Sequence, residues 1–263
     1  MYGGEAPTSF DLRFRLFGFP VRVSPMFWLI SALFGSSIAL QIGLQYLLLW
    51  VACMFFSILL HELGHAIAFR VFGSPSEIVL HGFGGAAQGY RLNRPWKRML
   101  VALAGPAIQL GFAVAVYAGE IAFRLSAIHP VLAVAVNFLL WMNFVWALIN
   151  LVPLLPLDGG VVLREVLEML RVRNPDAVAH GISVAMCALL ALRGIAALGN
   201  FRLPGIDDVL PTWLVPGHIF TFWLILLGVE NFQMMQRYGR RGPQSGYSRP
   251  NAYDDDTPPW RRR

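Results

Sequence analysis

Charge is scarce in this chain. Asp, Glu, Lys and Arg make up 14% of its 263 residues, about half the usual share of a globular protein, while 56% are hydrophobic. A water-soluble fold this apolar would expose large apolar patches, so that class is excluded. Cysteine is nearly absent: Cys53 and Cys187 both fall inside apolar runs. That rules out a disulfide framework and reads as two small buried packing residues rather than a metal pair. No cleavable signal peptide, internal repeat or separate soluble domain is expected either.

What is present is long apolar runs. Six stretches approach or exceed the roughly 20 residues needed to span about 30 Å of hydrocarbon. They are Met26–Leu44, Tyr46–Phe72, Met99–Phe123, Val131–Leu151, Val178–Leu198 and Trp213–Met235. With the N-terminus placed in the cytoplasm and sides alternating after each span, eighteen of the 21 Lys and Arg fall on the cytoplasmic side. The exceptions are Arg124, Arg193 and Arg202. This is the positive-inside asymmetry, and it puts both termini in the cytoplasm of a cell-membrane protein. The net charge of +6 therefore orients the chain and attracts anionic headgroups; no nucleic-acid partner is expected. Arg193 is expected to snorkel to the outer surface, and Glu120 and Arg124, four apart, to pair.

Between the spans lie two β-leaning segments. Phe10, Leu12, Phe14 and Leu16 alternate with Asp11, Arg13 and Arg15, and Gly18 and Pro20 supply a turn. This reads as an amphipathic hairpin that needs a partner sheet. The segment 76–91, SEIVLHGFGGAAQGYR, is apolar, glycine-rich and too short to span. It reads as the partner, a re-entrant or interfacial β-loop, against the alternative of a surface loop. The expected fold class is thus an all-α polytopic membrane protein of about six transmembrane helices, with a small N-terminal β-hairpin and a re-entrant β-loop. Residues 1–24 form the cytoplasmic hairpin segment, 25–236 the membrane core and 237–263 a disordered cytoplasmic tail rich in Arg, Gly, Pro, Asp and Ser.

The chemistry sits in HELGH, residues 61–65 of the second span. On a helix His61 and His65 stack on one face and can hold one Zn²⁺. Glu62 lies about 100° round, placed to take a proton from a zinc-activated water without ligating the metal. Ionisable residues in an apolar span are costly and mark function; the alternative is a neutral hydrogen-bond cluster gluing helices. A third ligand is needed. Asp158 in NLVPLLPLDGG (Asn150–Gly160) is the candidate, since the fourth span ends on the same side as the second. By itself PLDGG also reads as a turn, with Asp158 capping a helix over Val161–Leu170. Asn150 and Asn143 share a helical face. Asn150 reads either as a donor to substrate backbone or developing oxyanion, or as an interhelical hydrogen bond; Asn143 reads as the latter. In AGPAIQLG (Ala104–Gly111), Gly105 and Gly111 allow close helix approach and Pro106 kinks the helix or opens a turn.

Together these motifs resemble the site-2 protease family of intramembrane metalloproteases, from Phe10 to about Leu170. HELGH is similar to the family's HExxH, and NLVPLLPLDGG to its N-x-x-P-x-x-P-x-D-G element. AGPAIQL resembles its G-P-x-x-N stretch, with Gln109 where Asn is usual. The resemblance implies His61, His65 and Asp158 as ligands of one zinc and Glu62 as catalyst. FGG in HGFGGAAQG resembles the family's loop that offers a strand edge to unwound substrate, which implicates Gly84 and Gly85. It further implies a single-span membrane-protein substrate cleaved in regulated proteolysis, with a cytoplasmic site opening and no PDZ, CBS or other partner domain. The alternative function is a non-hydrolytic membrane zinc-binding or transport protein, which would have no need of Glu62. A membrane-anchored zincin with a soluble catalytic domain is a third reading, for which the loops leave no room.

Overall fold

The computed structural model describes residues 8–82, 84–90, 92–199, 201 and 218–240. The described residues divide into two compact units, one up to Leu151 and the other from Val152 onward.

The first unit opens with strands β1 (Leu12–Leu16) and β2 (Phe19–Val23). Phe17 and Gly18 both take positive φ, 49° and 83°, the geometry of a tight hairpin turn. Helices α1 (Pro25–Ile42) and α2 (Leu44–Val71) follow, then β3 (Ser76–His81) and β4 (Gly84–Gly89). The four strands make one sheet in the order β1-β2-β3-β4. The hairpin does find its partner in the 76–91 segment. β2 pairs β3 in parallel, Val21 opposite Ile78 and Val23 opposite Leu80, while β3 and β4 are antiparallel. Phe19, Val21, Val23, Ile78 and Leu80 are buried in one cluster with Ile58, Leu59, Leu63 and Ala66 of α2, so the sheet lies on the second half of that helix. The turn differs from expectation at two points: Pro20 sits within β2 opposite Arg15, and Phe10 lies before β1, exposed.

Helices α3 (Pro95–Phe123), α4 (Leu125–Ile128) and α5 (Pro130–Asn150) complete the unit. Helix α3 runs on through Pro106, whose residue is buried. Gly105 does let helices meet: a Cβ on Gly64 would lie 2.6 Å from the Ala104 carbonyl oxygen and 3.0 Å from Gly105 Cα. Gly111 has nothing within 4 Å and plays no such part. The expected Glu120–Arg124 pair is replaced by a backbone contact. The helix ends with Arg124 left-handed (φ 47°), and the Glu120 carboxylate accepts from the Ser126 N–H at 3.0 Å.

The second unit comprises α6 (Asp158–Met169), α7 (Pro175–Leu198) and α8 (His218–Arg240). Leu154, Cys187, Leu190, Ala191, Leu224 and Leu227 form its core. Both cysteines are free and buried, as expected. Arg193 corrects its expectation: it is 3% exposed and has a partner, because α7 packs against α8 at this level, where Gly194 meets Thr221. Helix α6 is amphipathic. Arg164 on it binds Asp176 (2.7 Å) and the carboxylates of Glu165 and Glu168. Burial pulls the Arg164 guanidinium down, but Asp176 and Glu165 outweigh it and hold it above its ordinary range.

Among the described residues, four helices, α2, α3, α5 and α7, are long and apolar enough to cross a membrane. Their outward side chains, among them Leu48, Val114, Ile121 and Leu192, are exposed hydrophobics that suit lipid rather than water. The protein is an integral membrane protein. The first and sixth apolar stretches carry α1 and α8, which are not among those four. Helix α8 continues to Arg240, so residues 237–240 of the expected tail are helical; 241–263 lie outside the described residues, as do 213–217 of the sixth stretch.

Candidate metal centre

Before Ser57 only Cys53 and Met54 of helix α2 are buried, whereas from Ser57 through Ala66 every residue but Leu60 is. The HELGH segment therefore lies inside protein. His61 and His65, one turn apart, point their Nε2 atoms at each other, 3.0 Å apart. Their other ring nitrogens decide what those atoms are. His65 Nδ1 is 2.7 Å from the Val101 carbonyl oxygen, which can only accept, so the proton is on Nδ1. His61 Nδ1 is 2.9 Å from Gln109 Oε1. The Gln109 amide cannot be flipped, because its Nε2 donates to the Ser57 carbonyl at 3.2 Å. His61 therefore also carries its proton on Nδ1.

Two neutral imidazoles so held present two lone pairs to the same point. Without a cation between them that arrangement is repulsive; with one, both nitrogens become donors. Partners on the far nitrogen are what orient metal-binding histidines generally. The donor set thus fits a metal of the imidazole-preferring kind, zinc among them. Glycine gives the rings their space: a Cβ on Gly105 would come within 2.6 Å of His65 Cε1 and 2.9 Å of His61 Cε1.

Glu62 is 4% exposed and lies against β4 of the sheet. The backbone of β4 passes directly over it. A Cβ on Gly85 would stand 2.6 Å from Glu62 Oε1 and 2.7 Å from Cδ. Gly84 beside it has φ 140° and open space around it. The edge strand and the HELGH glutamate are therefore in contact.

A further strut runs through Ser57, one turn before His61. Its hydroxyl accepts from Asn143 Nδ2 at 2.9 Å, which ties α5 to α2 in the interhelical role expected of Asn143. Asn137 bonds only its own helix, at the Ala133 carbonyl. Asn150 ends α5 and is buried. In the second unit, Asp158 is the first residue of α6. The helix begins there and not at Val161, with Leu157 as its N-cap, so Asp158 does not occupy the capping position. Gly160 packs on the preceding loop, where a Cβ would meet the Leu154 carbonyl oxygen at 2.7 Å.

Two contributions went unread in the sequence. The Val101 carbonyl leaves no signal in residue identity. Gln109 does: an amide within an apolar span needs a partner, and it stands on the helix that carries Gly105.

Residues 120–193 match the sequence profile of Peptidase family M50. A protein of Synechocystis, provisionally named a zinc metalloprotease, is 33% identical over 227 residues, 81% of this chain and 55% of its own length. Rip3 of Mycobacterium tuberculosis, provisionally named likewise, is 30% identical over 229 residues, 81% of this chain and 54% of its own. The chain thus spans about half the length of these curated relatives. The solved structure of the site-2 protease from Methanocaldococcus jannaschii aligns with a TM-score of 0.53 over 88% of this chain and 96% of that one, at 19% identity. At that identity the likeness is one of fold.

Proposed function

We propose, from the match of residues 120–193 to Peptidase family M50 and the likeness to the site-2 protease fold, that this chain is an intramembrane zinc metalloprotease of that family. It hydrolyses peptide bonds in or near the transmembrane segments of single-span membrane proteins. The observation that carries this reading is the pair of His61 and His65 Nε2 atoms, 3.0 Å apart, with both Nδ1 protons already spent.

Two histidines are one donor short of the three protein ligands a catalytic zinc takes. Asp158 is the third: NLVPLLPLDGG offers a carboxylate opening a helix after a proline-stiffened loop. Zinc held there supplies Lewis acidity and a water acidic enough to react near neutral pH. Glu62 takes the proton from the attacking water and passes it to the leaving amine. Its burial keeps bulk water from competing for the carboxylate. An extended substrate segment adds to the outer edge of β4, which has no further strand partner among the described residues. Because Gly85 rests on Glu62, a segment paired there runs past the general base. Gly84 gives the edge its turn, and Asn150 donates to the substrate backbone or the developing oxyanion. In membrane terms, α1 and the stretch ending in α8 bring the spans to six. The basic residues then place both termini and the site opening on the cytoplasmic side of the cell membrane. Regulated proteolysis of a tethered regulatory protein is the corresponding role.

The test pairs zinc content with cleavage of a model transmembrane substrate in detergent, for wild type and Glu62→Gln. Equal zinc in both, with cleavage only by wild type, is the expected result. Zinc in both and no wild-type cleavage across unrelated substrates would sink the proposal in favour of non-hydrolytic zinc binding or transport.

A further inference from the structure

Among the buried polar residues of helices α7 and α8 that the proposed chemistry leaves unused are His180, Ser183 and Asn231. Ser183 and Asn231 bond the backbone of one residue, Leu155, in the loop before Asp158, and His180 bonds Asn231. The Leu155 N–H donates to Ser183 Oγ at 2.9 Å, and the Leu155 carbonyl accepts from Asn231 Nδ2 at 2.9 Å.

The protons in this network have one consistent assignment. Ser183 gives its own hydroxyl proton to the Ala179 carbonyl (2.8 Å), so its oxygen is left as an acceptor for Leu155. Asn231 Nδ2 spends both protons on carbonyls, those of Leu155 and Leu227. Asn231 Oδ1 lies 2.7 Å from His180 Nδ1, which must therefore be the protonated nitrogen of that ring. His180 is held flat against Tyr238, ring centroids 5.5 Å apart and 12° from parallel. Every donor of Ser183 and Asn231 has a partner, which is what makes such a network rigid rather than costly.

From Leu155 the constraint travels three residues. Leu157 N–H bonds the Leu154 carbonyl at 2.8 Å, and Gly160 N–H bonds that of Leu157 at 3.0 Å. Leu154 itself is packed in the α7–α8 core. With Pro153 and Pro156 limiting the backbone further, few torsions remain free between the clamped peptide and the Asp158 side chain. The His180–Asn231 bond joins α7 to α8, and through Ser183 and Asn231 both helices also grip the loop.

We propose that His180, Ser183 and Asn231 are positioning residues that set the Asp158 carboxylate for its metal. The inference rests on the reading of Asp158 as a ligand.

It is tested on the full chain in detergent by zinc affinity, from competition with a chromogenic chelator, alongside thermal stability. Asn231→Ala and Ser183→Ala are expected to weaken zinc binding roughly 10-fold or more, as loss of partners behind metal ligands does. His180→Ala should do the same by freeing the Asn231 amide to flip, and His180→Asn, which keeps a donor near the Nδ1 position, should restore affinity. Cys187→Ala opens the same helix pair without touching Leu155, and should lower stability while leaving zinc affinity at the wild-type value. Asp158→Asn should weaken binding more than any of these. Wild-type affinity in Asn231→Ala and Ser183→Ala, beside a weakened Asp158→Asn, overturns the clamp alone. So does an equal loss in Cys187→Ala, which would make the effect one of general packing. Wild-type affinity in Asp158→Asn overturns the ligand reading and the clamp with it.

Discussion

If the proposed function holds, adding one methyl group at Gly85 should disable cleavage without lowering zinc content. The new Cβ would stand 2.6 Å from Glu62 Oε1 and 2.7 Å from Cδ, whereas non-bonded heavy atoms rest at about 3.5 Å or more. Roughly 1 Å must therefore be found between β4 and the glutamate. Glu62 has little room to retreat, being 4% exposed, and β4, as an edge strand, shares the shift only by tilting the surface on which substrate pairs. A misplacement of about 1 Å costs on the order of 100-fold in rate, or about 2.7 kcal/mol of barrier. The loss should fall on kcat. Zinc content should stay at the wild-type level, because the nearest atoms to the new methyl belong to Glu62 and not to either histidine. Gly84→Ala is the matched comparison: it meets nothing within 4 Å, but its φ of 140° strains any side-chain-bearing residue, so it should cost stability more than kcat. Single-turnover cleavage of a transmembrane reporter, with zinc measured on the same samples, decides the matter. A Gly85→Ala enzyme within threefold of wild-type kcat would refute the argument, as would a rate loss that merely tracks lost zinc.

Three other outcomes follow from the structure. Gln109→Leu strands the His61 Nδ1 proton in a buried site, so zinc affinity should fall about 10- to 100-fold, read by chelator competition; Gln109→Asn, one methylene shorter, should fall between the two. Arg164→Met removes the contacts to Glu165, Glu168 and Asp176, and should destabilise by roughly 1.5–3 kcal/mol, seen as a lowered melting temperature in detergent. Asp11 is held down to about 2 by the Thr8 hydroxyl (2.6 Å), the Thr8 N–H and then Arg22. A depressed carboxylate contributes its stability above the unfolded value near 3.9 and loses it as pH falls through about 2. The Asp11 carboxyl resonance should accordingly titrate near 2, and a midpoint near 3.9 would show the turn around Thr8 to be unformed.

How much of this was legible beforehand depends on the distance along the chain over which each feature is encoded. The HELGH face was readable because His61 and His65 are four residues apart and helix geometry does the rest. The hairpin at Leu12–Val23 was readable from its period of two, and the same logic gave the 76–91 segment its β character. Rules of equal locality failed where a helix ended or packed. The spacing of Glu120 and Arg124 suits a pair, yet the left-handed turn at Arg124 brings the Ser126 N–H to the carboxylate first. Arg193 lies near a span end, where Arg usually snorkels, but the packing of α8 on α7 buries it.

The sequence by itself determined the solvent of this protein, its apolar helices and which residues are candidates to bind and act. Those are properties of composition and of spacings under a dozen residues, set by helix and strand periodicity and by the cost of charge in hydrocarbon. Only the tertiary structure decided which nitrogen of each histidine is protonated, since the deciding partners, Val101 and Gln109, lie 36 and 48 residues away. It alone decided that β2 and β3 run parallel, that Gly85 rests on Glu62, and that Leu155 is held from Ser183 and Asn231. Contacts of that range follow from how helices and strands pack, and packing depends on the shape of both partners at once, which no single stretch of sequence contains.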